Sequence, residues 1–198
     1  MQKFAERKSV ACSFKNIQKM GEKIELTKEL AIDCEFVRGL AGEREISLLA
    51  RVSIVNANGK CIMDKFVKPT QKVVNYCTFV SGIRPCDLIN ADPFDKVQCE
   101  VAKIIDGRIL VGHALDNDLL VLKLTHPQKL IRDTSDYLPL QFICRNSLGR
   151  RPALKTLAKE VLGINIQQGE HNSVIDAKTT MQIYNIYKKQ WEASLFLK

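Results

Sequence analysis

The sequence predicts an α/β domain built on a mixed sheet. Three β-like runs come first, at residues 29–37, 46–55 and 61–67, and Asn58-Gly59 between the last two is a favourable hairpin turn. Further along, the apolar residues change to helical spacing, and helical and strand-like stretches then alternate. This order indicates three antiparallel strands, extended by parallel strands and flanked by helices.

The later elements follow from their apolar patterns. Residues 93–105 predict a helix, because Phe94, Val97 and Val101 fall on one stripe and Pro93 suits the first turn. The remaining predicted elements are strands at residues 108–113 and 129–134 and helices at residues 115–124, 153–163 and 173–191.

The composition is that of an ordinary globular protein. With 198 residues, 45% of them hydrophobic and 26% charged, the chain can form one domain with its own core. Seven cysteines without a C-x-x-C pair argue against a zinc site or a disulfide framework, and for a reducing compartment. No apolar run approaches membrane-spanning length, so we expect a soluble intracellular protein with no membrane partner.

The charge is unevenly distributed. The net charge of +8 favours a polyanionic partner, nucleic acid above all. Residues 1–28 hold seven Lys or Arg against three Glu and are only weakly periodic, so we divide the chain into a basic N-terminal extension, residues 1–28, and a domain, residues 29–198. The extension is a solvated tail, a nucleic-acid contact or a nuclear address, and the sequence leaves this choice open.

The stretch ELAIDCEFV places two carboxylates in a strand that is otherwise apolar. Side chains alternate between the faces of a strand, so Asp33 and Glu35 share one face. The two charges repel each other, and burial makes their ionisation still more costly. Either the pair is solvated or beside a basic residue, or a divalent cation such as Mg²⁺ or Mn²⁺ neutralises it.

A second acidic stretch, ILVGHALDNDLL, follows the central predicted strand. His113 ends that strand, and Asp116 and Asp118 come directly after it. Loops at strand ends often hold the chemistry of α/β proteins, but acidic residues also favour the first turn of a helix. Both interpretations stay open from this stretch alone.

A third stretch, GEHNSVIDAKTTM, precedes the last predicted helix. Ser173 and Asp176 have the spacing of a helix capping box, which would make Asp176 structural. His171 then lies in the preceding loop, where it can face a site that Asp176 helps to build. Capping and metal binding are compatible, because a fixed carboxylate is a well-placed ligand.

Taken in chain order, the three stretches resemble the motifs of the DEDDh branch of the DnaQ-like 3′→5′ exonuclease superfamily. The resemblance covers nearly all of the predicted domain and implies a ribonuclease H-like fold. It marks five residues as catalytic: Asp33, Glu35, Asp118, His171 and Asp176. Asp116 has no place in the pattern.

Finer matches point to one subfamily. The stretches AIDCEFV, FVKPT, TFVSGI, LVGHALDND and IRDT are similar to those of the group that contains RNA exonuclease 4 and the interferon-stimulated twenty-kilodalton exonuclease. The departures are Phe36 in place of the usual Met, and Cys77 and Phe79 where a charged residue is common. Asn172 excludes the related tyrosine branch, which would place a Tyr there.

The resemblance also implies the division of labour in the site. Two ions, Mg²⁺ or Mn²⁺, would be held by Asp33, Glu35, Asp118 and Asp176, with Asp33 bridging them. Glu35 and Asp176 would bind the ion on the side of the attacking water, and Asp118 would support the other. His171 would accept the proton of that water, a task that suits an imidazole at neutral pH.

The substrate contacts follow from the same resemblance. A free 3′ end would lie over the first strand near Phe36 and Val37. His113, Arg150 and Arg151 complete the predicted substrate-binding residues. Further basic residues that either hold the nucleic-acid backbone or are simply solvated are Arg145, Lys155 and Lys159.

We therefore expect a metal-dependent 3′→5′ exoribonuclease that releases nucleoside 5′-monophosphates from single-stranded RNA. Within this subfamily the expected task is trimming ribosomal RNA precursors in the nucleus or nucleolus, and a cytoplasmic location stays open. The alternatives are a DNA-preferring exonuclease of the same superfamily and a catalytically silent nucleic-acid-binding module. No residue in the sequence reads the ribose 2′-hydroxyl on its own, so the preference for RNA rests on the resemblance.

Overall fold

A mixed sheet forms the centre of the molecule. The computed structural model describes residues 25–144 and 151–195. The strands are β1 (Glu29–Ala41), β2 (Arg44–Asn56), β3 (Cys61–Lys68), β4 (Val73–Asn75), β5 (Asp92–Pro93), β6 (Ile109–Gly112) and β7 (Ile131–Asp133). Their order is β5-β3-β2-β1-β6-β7, with β4 paired to β1 outside this path.

The directions of the strands confirm the predicted mixed sheet. β1, β2 and β3 pair antiparallel, and β6 and β7 extend the sheet in parallel from β1. The loop Asn56–Lys60 closes the predicted hairpin, with Gly59 at a φ of 73°. Gly suits this turn because a positive φ costs it nothing.

Helices lie on both faces of the sheet. They are α1 (Thr78–Ser81), α2 (Phe94–Ile105), α3 (Leu115–Leu122), α4 (Leu138–Ile143), α5 (Leu154–Leu157) and α6 (Ser173–Leu195). Single 3₁₀ turns lie at Pro85–Leu88 and Gln128–Leu130, and a π-helical turn at Ala158–Leu162 follows α5. Among the described residues, none of the helices combines the length and the apolarity needed to cross a bilayer.

The elements that sequence patterns missed are the shortest ones. β4, β5, α1 and α4 span two to six residues each. A period of two or 3.6 residues cannot show itself in so few positions. The helix predicted at residues 153–163 is present, but it changes from α- to π-helical winding after Leu157.

The two faces of β1 pack against different helices. Leu30, Ile32 and Cys34 join α2 and α3 in one core cluster, whereas Ala31 joins α5 and α6 in a second. This alternation is the one that the sequence predicts. Asp33 and Glu35 therefore lie on the face that α6 covers.

Most of the predicted basic extension, residues 1–24, lies outside the described residues. Residues 25–28 are tied to the end of β2: the Asn56 side-chain amide donates to the Glu25 carbonyl at 3.0 Å, and the Ala57 amide donates to the Thr27 hydroxyl at 2.9 Å. Residues 25–28 are thus attached to the sheet just before β1 begins.

Candidate active site

The acidic pair of β1 lies in the middle of the sheet. Asp33 is opposite Ser53 on β2, and Glu35 is opposite Arg51. The register of the two strands shifts directly after Glu35, so that Phe36 faces Leu49. Bulges of this kind bend a strand and are common beside active sites, where they redirect side chains.

The first turn of α6 brings the late aspartate to the pair. Its cap is Asn172, whose side-chain oxygen accepts from the Val174 amide at 3.0 Å. The predicted capping box is therefore wrong: the Ser173 hydroxyl is buried and shares a 2.7 Å hydrogen bond with the Ser53 hydroxyl on β2. This bond joins α6 to the sheet beside Asp176, whose side chain stays free of the cap.

Three carboxylates converge where these elements meet. Single oxygens of Asp33, Glu35 and Asp176 all lie within 4.8 Å of one another. Glu35 Oε1 and Asp176 Oδ1 are buried and have no hydrogen-bond partner among the residues that the structure describes. Buried polar atoms without partners are rare, and oxygens of this kind are the ligands that Mg²⁺ and Mn²⁺ prefer. The donor set therefore fits a divalent cation.

The electrostatics of the cluster support the same interpretation. Burial and, to a smaller extent, the neighbouring Asp176 raise the pKa of Glu35 to about 8, while Arg51 opposes the shift. Burial also holds the pKa of Asp33 well above its usual range, with contributions from Asp118, Asp176 and Glu35. A cation would relieve this cost, because a positive charge favours the ionised carboxylates.

Asp118 reaches the site from the opposite core face. It is buried on α3, and its Oδ1 accepts a 2.8 Å hydrogen bond from the Cys34 backbone amide, between Asp33 and Glu35. Burial raises the pKa of Asp118 to about 8, although the bonds from Cys34 oppose the shift. Asp118 is thus fixed beside Asp33, outside the group of three oxygens.

Asp133 fixes the turn that leads into α3. Its carboxylate accepts from the backbone amides of Ala114 and Leu115 at 3.0 and 2.8 Å and from both the amide and the hydroxyl of Ser135. Ala114 has a φ of 56°, an unfavourable value that this carboxylate helps to hold. Asp133 belongs to the quoted IRDT stretch, and only the fold shows that it supports the helix of Asp118.

His171 lies at the edge of the acidic group. Its Nδ1 is 4.0 Å from Asp176 Oδ2, and its side chain keeps 30% of its surface exposed. Its backbone amide donates to the Val80 carbonyl on α1 at 2.7 Å. Arg84 holds the preceding residue, Glu170, through two bonds of 2.6 and 3.0 Å. The imidazole is therefore next to the carboxylates and open to a ligand from solvent.

Sequence analysis missed one residue of this group, Gln167. Its side-chain amide donates to Asp176 Oδ2 at 3.0 Å. The φ of Gln167 is 54°, so the loop turns sharply there to direct the side chain inward. A glutamine at the start of a polar loop carries no motif, and only the folded loop shows its partner.

The predicted substrate-binding residues differ in their surroundings. Phe36 is partly exposed beyond Glu35. Val37 is completely buried in a third apolar cluster with Leu48 and Ile83, so the structure corrects the expectation that its side chain meets a substrate.

The other predicted substrate contacts lie near α3 and α5. The His113 ring is bonded to the Thr134 hydroxyl at 2.9 Å, and burial lowers its pKa. Arg151 forms paired bonds of 2.7 to 3.0 Å with Asp116 and Asp136, which occupy its guanidinium. Lys155 and Lys159 are exposed, whereas the prediction for Arg145 and Arg150 lies outside the described residues.

A sheet of this topology with a carboxylate cluster beside its central strand is the arrangement expected of the ribonuclease H-like class. The model of the RNase T exonuclease family matches residues 30–184, and the chain belongs to this family. Its superfamily depends on divalent metals, and the cluster of acidic residues agrees with that requirement. The predicted class of protein is thereby confirmed.

Curated relatives give the subfamily. RNA exonuclease 4 of Homo sapiens is 51% identical over 168 residues, which are 85% of this chain and 39% of the relative. RNA exonuclease 4 of Saccharomyces cerevisiae is 50% identical over 168 residues, 85% of this chain and 57% of the relative. The predicted subfamily is confirmed, and the chain spans about two fifths of the length of the human relative.

Solved structures give the same fold. The Saccharomyces cerevisiae Pan2 pseudoubiquitin hydrolase–RNA exonuclease module in complex with A7 RNA aligns with a TM-score of 0.71 at 32% identity, over 85% of this chain and 29% of that one. The Neurospora crassa Pan2 catalytic unit aligns with a TM-score of 0.70 at 26% identity, over 90% and 30%. The predicted ribonuclease H-like sheet is confirmed.

Proposed function

We propose that this chain is a 3′→5′ exoribonuclease that uses two divalent ions, Mg²⁺ or Mn²⁺, to release nucleoside 5′-monophosphates from single-stranded RNA. One observation carries the proposal: Asp33, Glu35 and Asp176 converge, and two of their buried oxygens have no partner within residues 25–144 and 151–195. The RNA exonuclease 4 relatives and the RNA-bound Pan2 modules support RNA as the substrate. Subfamily likeness also supports ribosomal RNA trimming in the nucleus or nucleolus as the cellular task.

The geometry supports one ion between Asp33, Glu35 and Asp176. The resemblance to the family supports a second ion, which Asp118 would hold together with Asp33. When bound, such ions stabilise the charge that develops on the phosphate and favour ionisation of the attacking water. The protein supplies carboxylates that are fixed by β1, α3 and α6 before any substrate arrives.

His171 would act as the general base. It is exposed enough to meet a water molecule, and its backbone bond to Val80 fixes the loop that carries it. Asp176 lies 4.0 Å from Nδ1, where a negative charge stabilises the imidazolium that forms when the proton is accepted. The Arg84–Glu170 pair keeps this loop against α1.

The test is digestion of a 5′-labelled single-stranded RNA in Mn²⁺ or Mg²⁺. Wild-type protein should shorten the RNA one nucleotide at a time from its 3′ end. The Asp33→Asn variant should reduce cleavage to background, and His171→Ala should lower the rate by roughly 10²- to 10⁴-fold. Asp95→Asn, which removes an exposed carboxylate on α2, is the matched control and should cleave at the wild-type rate.

Three outcomes would contradict the proposal. Variants of Asp33 and His171 that cleave as fast as wild type would show that another site is responsible. Faster digestion of a DNA oligomer of the same sequence would support the DNA-preferring alternative instead. Wild-type protein that binds RNA but never cleaves it would support the catalytically silent module.

A further inference from the structure

An exposed aromatic side chain lies on α1, the helix next to His171, the candidate general base. Phe79, on α1, has 84% of its surface exposed, the largest fraction among the large apolar residues that the structure describes. Val80 beside it is 51% exposed. An unburied Phe forgoes a stabilisation of about 1.5–3 kcal/mol, so its exposure raises the question of what covers it.

The backbone beneath Phe79 is fixed by its own hydrogen bonds. The Thr78 hydroxyl donates to the Ile83 carbonyl at 2.7 Å, and the Ser81 hydroxyl donates to the Tyr76 carbonyl at 2.8 Å. The Asn75 side chain accepts from the Cys77 amide at 2.8 Å. The buried side chain of Ile83 anchors the end of the segment. Phe79 is thus an exposed aromatic ring on a well-fixed turn.

This turn is connected to the candidate site on two sides. On one side, the Val80 carbonyl accepts the His171 amide. On the other, Asn75 on β4 pairs with Arg38 on β1, three residues beyond Glu35. Phe79 therefore lies on a short bridge between the strand of the acidic pair and the loop of the imidazole.

We propose that Phe79 is a stacking platform for a nucleobase of the RNA substrate, close to its 3′ end. The proposal rests on the proposed function, since that function brings a single strand to this edge of the site. Unpaired bases offer flat apolar faces, and aromatic side chains bind such faces with little dependence on base identity. The positive net charge of the chain favours the same polyanionic partner.

The first experiment compares the kinetics of single-residue variants on a single-stranded RNA oligomer. Phe79→Ala should raise KM by roughly five- to hundredfold and leave kcat within about twofold, because a stacking contact binds the strand without touching the reacting phosphate. Phe79→Trp should restore KM to near the wild-type value. Phe142→Ala removes a second exposed Phe, 62% exposed on α4, and should change neither parameter.

A second experiment identifies the base. Oligomers with a single abasic riboside at each of the last few positions should show one position where the wild-type KM rises. For the Phe79→Ala variant, removal of the base at that same position should not raise KM further, because the base and the ring are the two partners of a single contact. Effects that simply add at every position would overturn the proposal.

Further outcomes separate this proposal from its rivals. A fall in kcat at unchanged KM would assign Phe79 a purely structural role and overturn the platform. Unchanged RNA kinetics together with a loss of self-association in sedimentation would assign the surface to a second copy of the chain. If wild type fails to cleave RNA, the proposed function fails, and fluorescence anisotropy of labelled RNA with wild type and Phe79→Ala still decides on stacking.

Discussion

At the scale of single residues, the site is a set of carboxylates whose ionisation is costly in the metal-free protein. Glu35 and Asp118 each have a pKa of about 8, mainly because they are buried. Asp33 is shifted in the same direction by burial and by its acidic neighbours. The site therefore holds protons that a bound cation would displace.

These raised pKa values predict how the stability of the metal-free protein depends on pH. A carboxyl whose pKa is higher in the folded than in the unfolded chain binds its proton more tightly when folded. Stability is then highest below the unfolded pKa and is lost as pH rises from about 4 towards about 8, by at most about 1.4 kcal/mol per pH unit for each proton. Urea unfolding in EDTA, measured across that range, checks the sign.

A substitution and added Mn²⁺ serve as controls for the pH prediction. Glu35→Gln should lose less stability over the same pH range, because it removes one of the groups with a raised pKa. Millimolar Mn²⁺ should also reduce the loss, since a ligand that binds the ionised folded site stabilises it. A wild-type protein that gains stability from about pH 5 to about pH 8 would contradict this account.

Gln167 gives a second prediction at this scale. Its bond to Asp176 Oδ2 orients a carboxylate whose other oxygen has no partner. Losing such support typically weakens metal binding by about 10- to 100-fold. Gln167→Ala should therefore raise the Mn²⁺ concentration needed for half-maximal thermal stabilisation by about tenfold or more. Gln168→Ala, at an exposed neighbouring position, should leave it unchanged.

The role of Gln167 in metal binding can also be disproved by the same measurement. If both glutamine variants need the same Mn²⁺ concentration as wild type, the Gln167 bond does not orient a metal ligand. Calorimetric titration of Mn²⁺ would supply the same comparison without relying on unfolding.

At the scale of elements, α3 is held in place by one carboxylate. Asp133, at the end of β7, accepts four hydrogen bonds from the turn that follows His113 and from Ser135. These bonds fix the start of α3, on which Asp118 accepts a hydrogen bond from the Cys34 amide. Asp133→Ala should therefore lower the free energy of unfolding by at least about 2 kcal/mol, because it leaves buried donors unpaired. Denaturant unfolding measures this directly.

A nearby aspartate supplies the control for Asp133. Asp136 is exposed and forms an ion pair with Arg151, which is also exposed, so Asp136→Ala should cost less than about 1 kcal/mol. Equal costs for the two substitutions would contradict the role given to Asp133.

Sequence patterns located the long elements because these depend on local order, whereas most of the site was predicted from the resemblance of three separate motifs to those of a known family. β1 shows its two faces in the alternation of Leu30, Ile32 and Cys34 with the acidic pair. Ser173 shows the limit of this reasoning: its spacing to Asp176 is that of a capping box, yet its hydroxyl bonds to Ser53, 120 residues earlier. Gln167 and Asp133 were missed for the same reason, since their partners become neighbours only on folding.

At the scale of the whole molecule, the fold brings distant parts of the chain to one place. β1 supplies two carboxylates, α3 supplies a third from the other core face, and α6 and its preceding loop supply the last aspartate and the imidazole. A cavity of about 940 Å³ in the described part of the chain lies elsewhere, lined by residues such as Leu119, Tyr137 and Trp191. The candidate chemistry is thus set by a convergence of charges and not by a deep pocket.

The most direct test of this convergence is the anomalous X-ray signal of Mn²⁺ in crystals of the wild-type protein and of the Asp33→Asn variant. A manganese peak in coordination contact with Asp33, Glu35 and Asp176, strongly reduced in the variant, is the predicted result. Crystals of the wild-type protein without manganese between these three carboxylates, or with it bound equally in both proteins, would contradict the central claim.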